Sequence, residues 1–306
     1  MNIIFQPHLL EETVSLEIRR REEQGDLKLF EEYHELADPI YERFSIDERD
    51  QQFEKLHLKF FHKLGLGEGL EKVLAEFPTI NGYDLLVRKA LPPGEDKADL
   101  RTRGEIKSIE IKLKPALFLD SDRLARKLRH ELMRVSDMLD SGFGYRNEGK
   151  LSSNPAEDWA IRESYSFIWD IYVDGRLARE GKETISDKEK RAEEFALHYQ
   201  GLPISQRRAA FESLWNAREL THDGILRMAK DPGQLLQWAG LSLEGKVVIP
   251  GSPCPLCSFP THSWADLEIA ADSLLALVKE DFPAWQPWQG ACERCLELYQ
   301  AKVDSK

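Results

Sequence analysis

The feature that most restricts how this 306-residue chain can fold is the placement of its four cysteines. They fall into two CxxC pairs, Cys254 with Cys257 and Cys292 with Cys295, separated by 34 residues. Two intervening residues let both thiolates of a pair reach one metal from a tight turn, and two such pairs complete a tetrahedron. Disulfides are rare in the cytosol, and a thioredoxin-like redox site needs only one CxxC set beside a βαβ pattern. The four cysteines therefore read as one structural zinc site that pins the C-terminal end of the chain. Four thiolates fill the shell, which leaves nearby His262 as an outer neighbour or a surface residue. A closed site of this kind organises structure and performs no chemistry.

The length suits two domains, or one large domain with an appended module. The formal net charge of −12 argues against general nucleic-acid binding, because gripping a phosphate backbone calls for a basic face. Arg19, Arg20 and Arg21 are flanked by Glu17, Glu22 and Glu23 and read as a solvated helix face. No apolar run approaches the ~18 residues that span a bilayer. The start MNIIFQPHLLEETVSLEIRRREEQ lacks the pattern of a signal peptide, so a cytoplasmic location is expected.

Apolar periodicity predicts amphipathic helices at 9–24 and 47–63 and another from Leu70 to Phe77. The intervening GLGEG lacks the Lys-Ser/Thr pair of a phosphate loop and reads as a helix end and turn. Tyr83 to Ala90 is a strand, LPPGEDKADLRTRG a polar connection, and Glu105 to Leu113 an alternating strand. Asp120 or Ser121 caps a helix to about Leu139, and Asn154-Pro155 opens another that continues to about Val173, with Gly175 as a stop. Three helices follow at 187–200, 205–218 and 221–239, broken at Pro203 and Pro232. The C-terminal unit begins near Val247 with a strand and turn, continues as a helix at 264–280, and ends in a helix that carries the second cysteine pair. Trp264, Trp285 and Trp288 flank that unit and are expected to pack over it.

Within the first of the helices near the centre of the chain, RKLRHELMRVSDMLDSGFGY (126–145) places His130-Glu131 just after the alternating strand. In HExxH peptidases two histidines at i and i+4 share a helix face, and the glutamate is the general base toward metal-bound water. Position i+4 here is Arg134, whose guanidinium binds no metal, while Asp137 at i+7 offers an oxygen on about the same face. The next helix contains FIWDIYVDGRL (167–177), with Asp170 and Asp174 four residues apart. Over residues 80–180 this order resembles the zincin metallopeptidases, and the second segment is similar to one by which a bacterial group of them supplies an aspartate ligand. The resemblance implies His130 as a metal ligand, Glu131 as the base, Asp170 as the third ligand, and a second metal ion beside the structural zinc. A rival reading takes Glu110-Ile111-Lys112 with Asp96 and Asp99 as the carboxylates and lysine of a restriction-like nuclease; Glu105-Ile106-Lys107 repeats the pattern, as an exposed strand face would.

The sequence thus predicts an α+β fold: a mainly helical body around a small sheet, zincin-like, with a zinc-ribbon-like Cys₄ module. Its expected divisions are an N-terminal helical region (1–80), a zincin-like domain with a helical extension (81–245) and the zinc module (246–306). The function it implies is that of a metallopeptidase-like protein with a degenerate centre, acting as a binding or assembly protein toward a protein or peptide partner. An active hydrolase using His130, Glu131 and Asp170, and a helical interaction scaffold with a structural zinc, are the alternatives.

Overall fold

The computed structural model describes residues 2–91, 96–103, 106–199, 202, 204–241, 251–267 and 269–304. Twelve α-helices and a four-stranded mixed sheet among these residues make the protein α+β with a helical body. The chain divides into two compact units, Met1–Asp140 and Ser141–Lys306, so the division falls inside the 81–245 segment. Among the described residues no helix is long and apolar enough to cross a membrane.

The first unit opens with β1 (Ile3–Phe5), then α1 (Pro7–Glu23), α2 (Lys28–Arg43), α3 (Ile46–Lys63) and α4 (Glu68–Leu74). Interior Pro39 masks the helical pattern of α2, a helix that the sequence reading did not place. Ser45 and Glu48 close a capping box at the start of α3. Gly65, at φ +66°, makes the turn between α3 and α4, which is the role its sequence context predicted. Arg20 and Arg21 both bond the buried Glu17 carboxylate at 2.8 Å, so that stretch of α1 is more than a solvated face.

The sheet adds β2 (Asp84–Lys89), β3 (Lys97–Arg103) and β4 (Ile106–Leu113) in the order β1-β2-β4-β3. β1 and β4 run parallel to β2, and β3 closes an antiparallel hairpin on β4. One expectation is corrected here. Residues 97–103 are a strand and not a polar connection, because β4 supplies them with a hydrogen-bonding partner that no local pattern reveals. In consequence β4 lies inside the sheet, and β3 takes the edge. Period-two alternation sends Leu85, Val87, Ile109, Ile111 and Leu113 into the core. The opposite face is charged. The unit ends with α5 (Ser121–Leu139), which Asp120 caps through the Arg123 N–H at 3.0 Å. Leu124, Leu128, Leu132 and Val135 form its buried stripe, and it packs along β3 and α4.

The second unit is built on α6 (Pro155–Arg179), with α7 (Lys188–His198), α8 (Ile204–Trp215), α9 (His222–Lys230) and α10 (Pro232–Trp238). The expected break at Pro203 lies outside the described residues, whereas the one at Pro232 is present between α9 and α10. Buried His222 shares a 2.8 Å hydrogen bond with the Tyr165 hydroxyl and a 3.2 Å one with Glu148, tying the loop before α6 to α6 and α9. α6 runs straight through Gly175. This glycine is no stop: a Cβ there would sit 2.1 Å from the Trp215 carbonyl oxygen, so the residue lets α8 approach. Arg179 then bonds the Trp215 and Ala217 carbonyls left over at the end of α8. Gly175→Ala is expected to cost about 1–3 kcal/mol through overpacking. A urea melt should show a lower midpoint at unchanged slope; an unshifted midpoint would mean that α8 gives way freely.

Candidate metal centre and the His130 helix

The C-terminal part of the second unit is organised by two turns. In the first, the Gly251 N–H donates to the Thr261 carbonyl and the Cys254 N–H to the Phe259 carbonyl, and Ser258 adopts φ +63° to close the loop. The strand expected at 247–250 lies outside the described residues. In the second, Trp264 pairs antiparallel with Cys292, and the Ala265 N–H reaches the Ala291 carbonyl at 2.9 Å. That pairing corrects the helix expected at 264–280. Its first residues are claimed by the strand-like contact, and α11 begins only at Asp272 and runs to Asp281. Cys292 immediately precedes α12 (Glu293–Asp304), and Cys295 lies in its first turn.

These turns bring the four sulfurs within 4.8 Å of one another, with Cys257 and Cys292 3.9 Å apart. A tetrahedral zinc with bonds of ~2.3 Å sets its sulfurs ~3.8 Å apart, so the cluster fits such an ion with little adjustment. The amides of Leu256 and Cys292 donate to the Cys254 sulfur, each at 3.4 Å. Burial alone would raise the Cys254 pKa, but these backbone donors outweigh it and lower the value. Burial and then the neighbouring thiols raise that of Cys295. A bound cation would let thiolates this crowded coexist. Trp264 packs against the sulfurs, while Leu274, Val278, Trp285, Ala291 and Tyr299 form a small apolar core beside them. Trp264 and Trp285 are therefore packing residues; the side chain of Trp288 lies outside those described. His262 is exposed and takes no part in the sulfur group.

His130 and Glu131 sit buried on α5 in the first unit, and Asp170 lies on α6 in the second. Within the first unit, no convergence of three ligand-type side chains forms around His130 among the described residues. The Glu131 carboxylate instead accepts the Ala98 N–H of edge strand β3 at 3.0 Å and pairs with Lys127 at 2.9 Å. His130 Nδ1 is 3.6 Å from the same carboxylate. Burial would raise the Glu131 pKa; the adjacent His130 ring and the charges of Lys127 and Arg134 override it and bring the value down to about 2. Half-buried Arg134 thus acts on Glu131 as a counter-charge. On α6, buried Asp174 receives a 2.7 Å bond from Arg191, and Asp170 lies near enough to add to the field at that guanidinium.

The nuclease residues are equally engaged. Glu110 is buried beneath three cations, with Arg101 at 2.6 Å, Arg88 at 3.4 Å and Lys112 at 3.6 Å. Burial pushes its pKa up, but Arg101 and the other two cations more than reverse that. A carboxylate so neutralised is a poor ligand for Mg²⁺. Asp96 bonds the Lys114 amide, and Glu105 lies outside the described residues. Sequence reasoning missed Arg88 and Arg101 because Arg101 fell in the presumed connection. Compared with protein-family models, with curated proteins and with solved structures, the chain matches none.

Proposed function

We propose that this chain is a binding or assembly protein, pinned at one end by a Cys₄ zinc, whose residues 80–180 resemble a metallopeptidase with its catalytic centre converted to structural contacts. The observation that carries the reading is the state of Glu131. A general base works best with a pKa near the operating pH, and a carboxylate held at about 2 by Lys127, His130 and Arg134 has little affinity for a proton. Its second task, accepting the Ala98 N–H, joins α5 to the edge strand and leaves no oxygen dedicated to a metal-bound water. The succession of β4, α5 and the His130-Glu131 pair supports the family resemblance, and the engagement of Asp174 and Asp170 with Arg191 supports its loss of catalysis. Zinc is the metal best matched to four thiolates in this spacing. A reducing compartment such as the cytosol keeps those thiols available. The partner is protein or peptide, in keeping with an acidic chain.

Metal analysis of the purified full chain tests this. One zinc per chain is expected, unchanged by His130→Ala, with no cleavage of unfolded casein. A second zinc lost on His130→Ala, or casein cleavage abolished by Glu131→Gln, would establish the active hydrolase instead.

A further inference from the structure

The charged face of the sheet and one stripe of α1 enclose a cleft of about 1000 Å³ within the first unit. That is the size of small-molecule sites. The helix stripe runs through His8, Glu11, Glu12, Ser15 and Arg19 at helical spacing. Across from it stand Arg88 of β2, Arg101 of β3, and Glu110 and Lys112 of β4.

Two features separate this cleft from an ordinary solvated face. The first is a violated pairing rule. Lys112 lies directly opposite Arg88 on one neighbouring strand and Lys97 on the other, a row of three cations across the sheet. Like charges placed opposite each other destabilise a sheet, and such local conflicts are characteristic of functional sites. The second is imbalance. Five cations line the cleft, Arg19, Arg88, Lys89, Arg101 and Lys112, against the three carboxylates of Glu11, Glu12 and Glu110. That leaves an excess of two positive charges in a chain whose net charge is −12. Glu12 is taken by Lys89, and Glu110 alone serves Arg101, Arg88 and Lys112. These last three keep 55, 48 and 44 % of their side-chain surface exposed, so their charged heads remain available to a ligand. Arg19 makes no ion pair among the described residues.

We propose that this cleft binds a phosphate-bearing small molecule of at least two negative charges, held by Arg19, Arg88, Arg101 and Lys112. Guanidinium groups offer paired donors that match phosphate oxygens, and the lysine adds a point charge. Buried Glu110, at the wall of the cleft, fixes the directions of the three cations around it. Leu16, Ala90 and Leu91 give the remainder of such a molecule an apolar wall.

Calorimetry on the full chain at ~0.15 M salt, where screening is short-ranged, provides the test, with inorganic pyrophosphate as the probe and a single-stranded oligonucleotide as the comparison. Saturable binding of one pyrophosphate per chain is expected. Arg19→Gln and Lys112→Gln should each weaken it about tenfold, the worth of one charge-assisted hydrogen bond. Glu11→Gln should tighten it, because it removes a competing carboxylate from the wall. Arg19 and Glu11 are exposed, and unchanged melting curves will show that their variants fold. Absence of pyrophosphate binding, binding indifferent to all three substitutions, or binding of the oligonucleotide alone would each overturn the proposal.

Discussion

Replacing Cys254 or Cys295 with serine is expected to abolish metal binding and to unfold residues 251–304 as a unit. The reason lies in how little else holds this part together. Among the described residues its apolar core is a handful of side chains around Val278 and Trp285, and its long-range backbone pairing is a few bonds near Trp264 and Ala291. A module of this size lacks the burial to offset the entropy of ordering its chain. Structural zinc supplies ~10–16 kcal/mol in comparable small modules, so losing one of four ligands removes most of what keeps the turns closed. Cys254 has a further task, since two amides donate to its sulfur and set the path of both turns. The expected measurement is a fall from one zinc per chain to none, together with rapid proteolysis confined to the C-terminal segment. The helices α6 to α10 have their own contacts and should resist longer. Variants that keep their zinc and their protease resistance would show that the cysteines are only buried thiols.

Glu131→Gln is expected to cost about 3 kcal/mol at neutral pH and to flatten the acid side of the stability profile. Folding lowers the carboxyl from 4.5 to about 2, and each pKa unit corresponds to about 1.4 kcal/mol. Because the folded-state value is depressed, the stabilisation is fully present above about pH 4.5 and disappears as the pH falls through 2. Glutamine keeps an acceptor for the Ala98 N–H but withdraws the negative charge from Lys127, His130 and Arg134. Glu131→Ala should cost more, since it also leaves the buried Ala98 amide without its acceptor. Denaturant melts of the wild type and both variants between pH 2 and pH 7 measure the difference. Parallel profiles for wild type and Glu131→Gln would mean that the carboxylate contributes nothing through its charge. The same data bear on function, because a residue that stabilises the fold as an anion is being used as an anchor.

What the sequence determined by itself was whatever a short stretch of chain can specify. Helical periodicity located α1, α3 and α5 within a residue or two, and alternation located β2 and β4, because burial of one face writes a local pattern of period 3.6 or 2. The cysteine cluster was legible for the same reason: ligand spacing within each CxxC is a local property, and four sulfurs have one economical arrangement. Other features were decided by partners distant in sequence. Residues 97–103 look like a polar loop until β4 offers them hydrogen bonds. Trp264 and Ala265 belong to a helical pattern until Ala291 and Cys292 pair with them. Gly175 reads as a stop until α8 fills the space where its side chain would be. The environment of Glu131 is of the same kind. The sequence supplied Lys127, His130 and Arg134 on its own helix, but the Ala98 amide arrives from a strand 33 residues away. The cation row of Lys97, Lys112 and Arg88 exists only because three strands align in one register, and register is a tertiary decision.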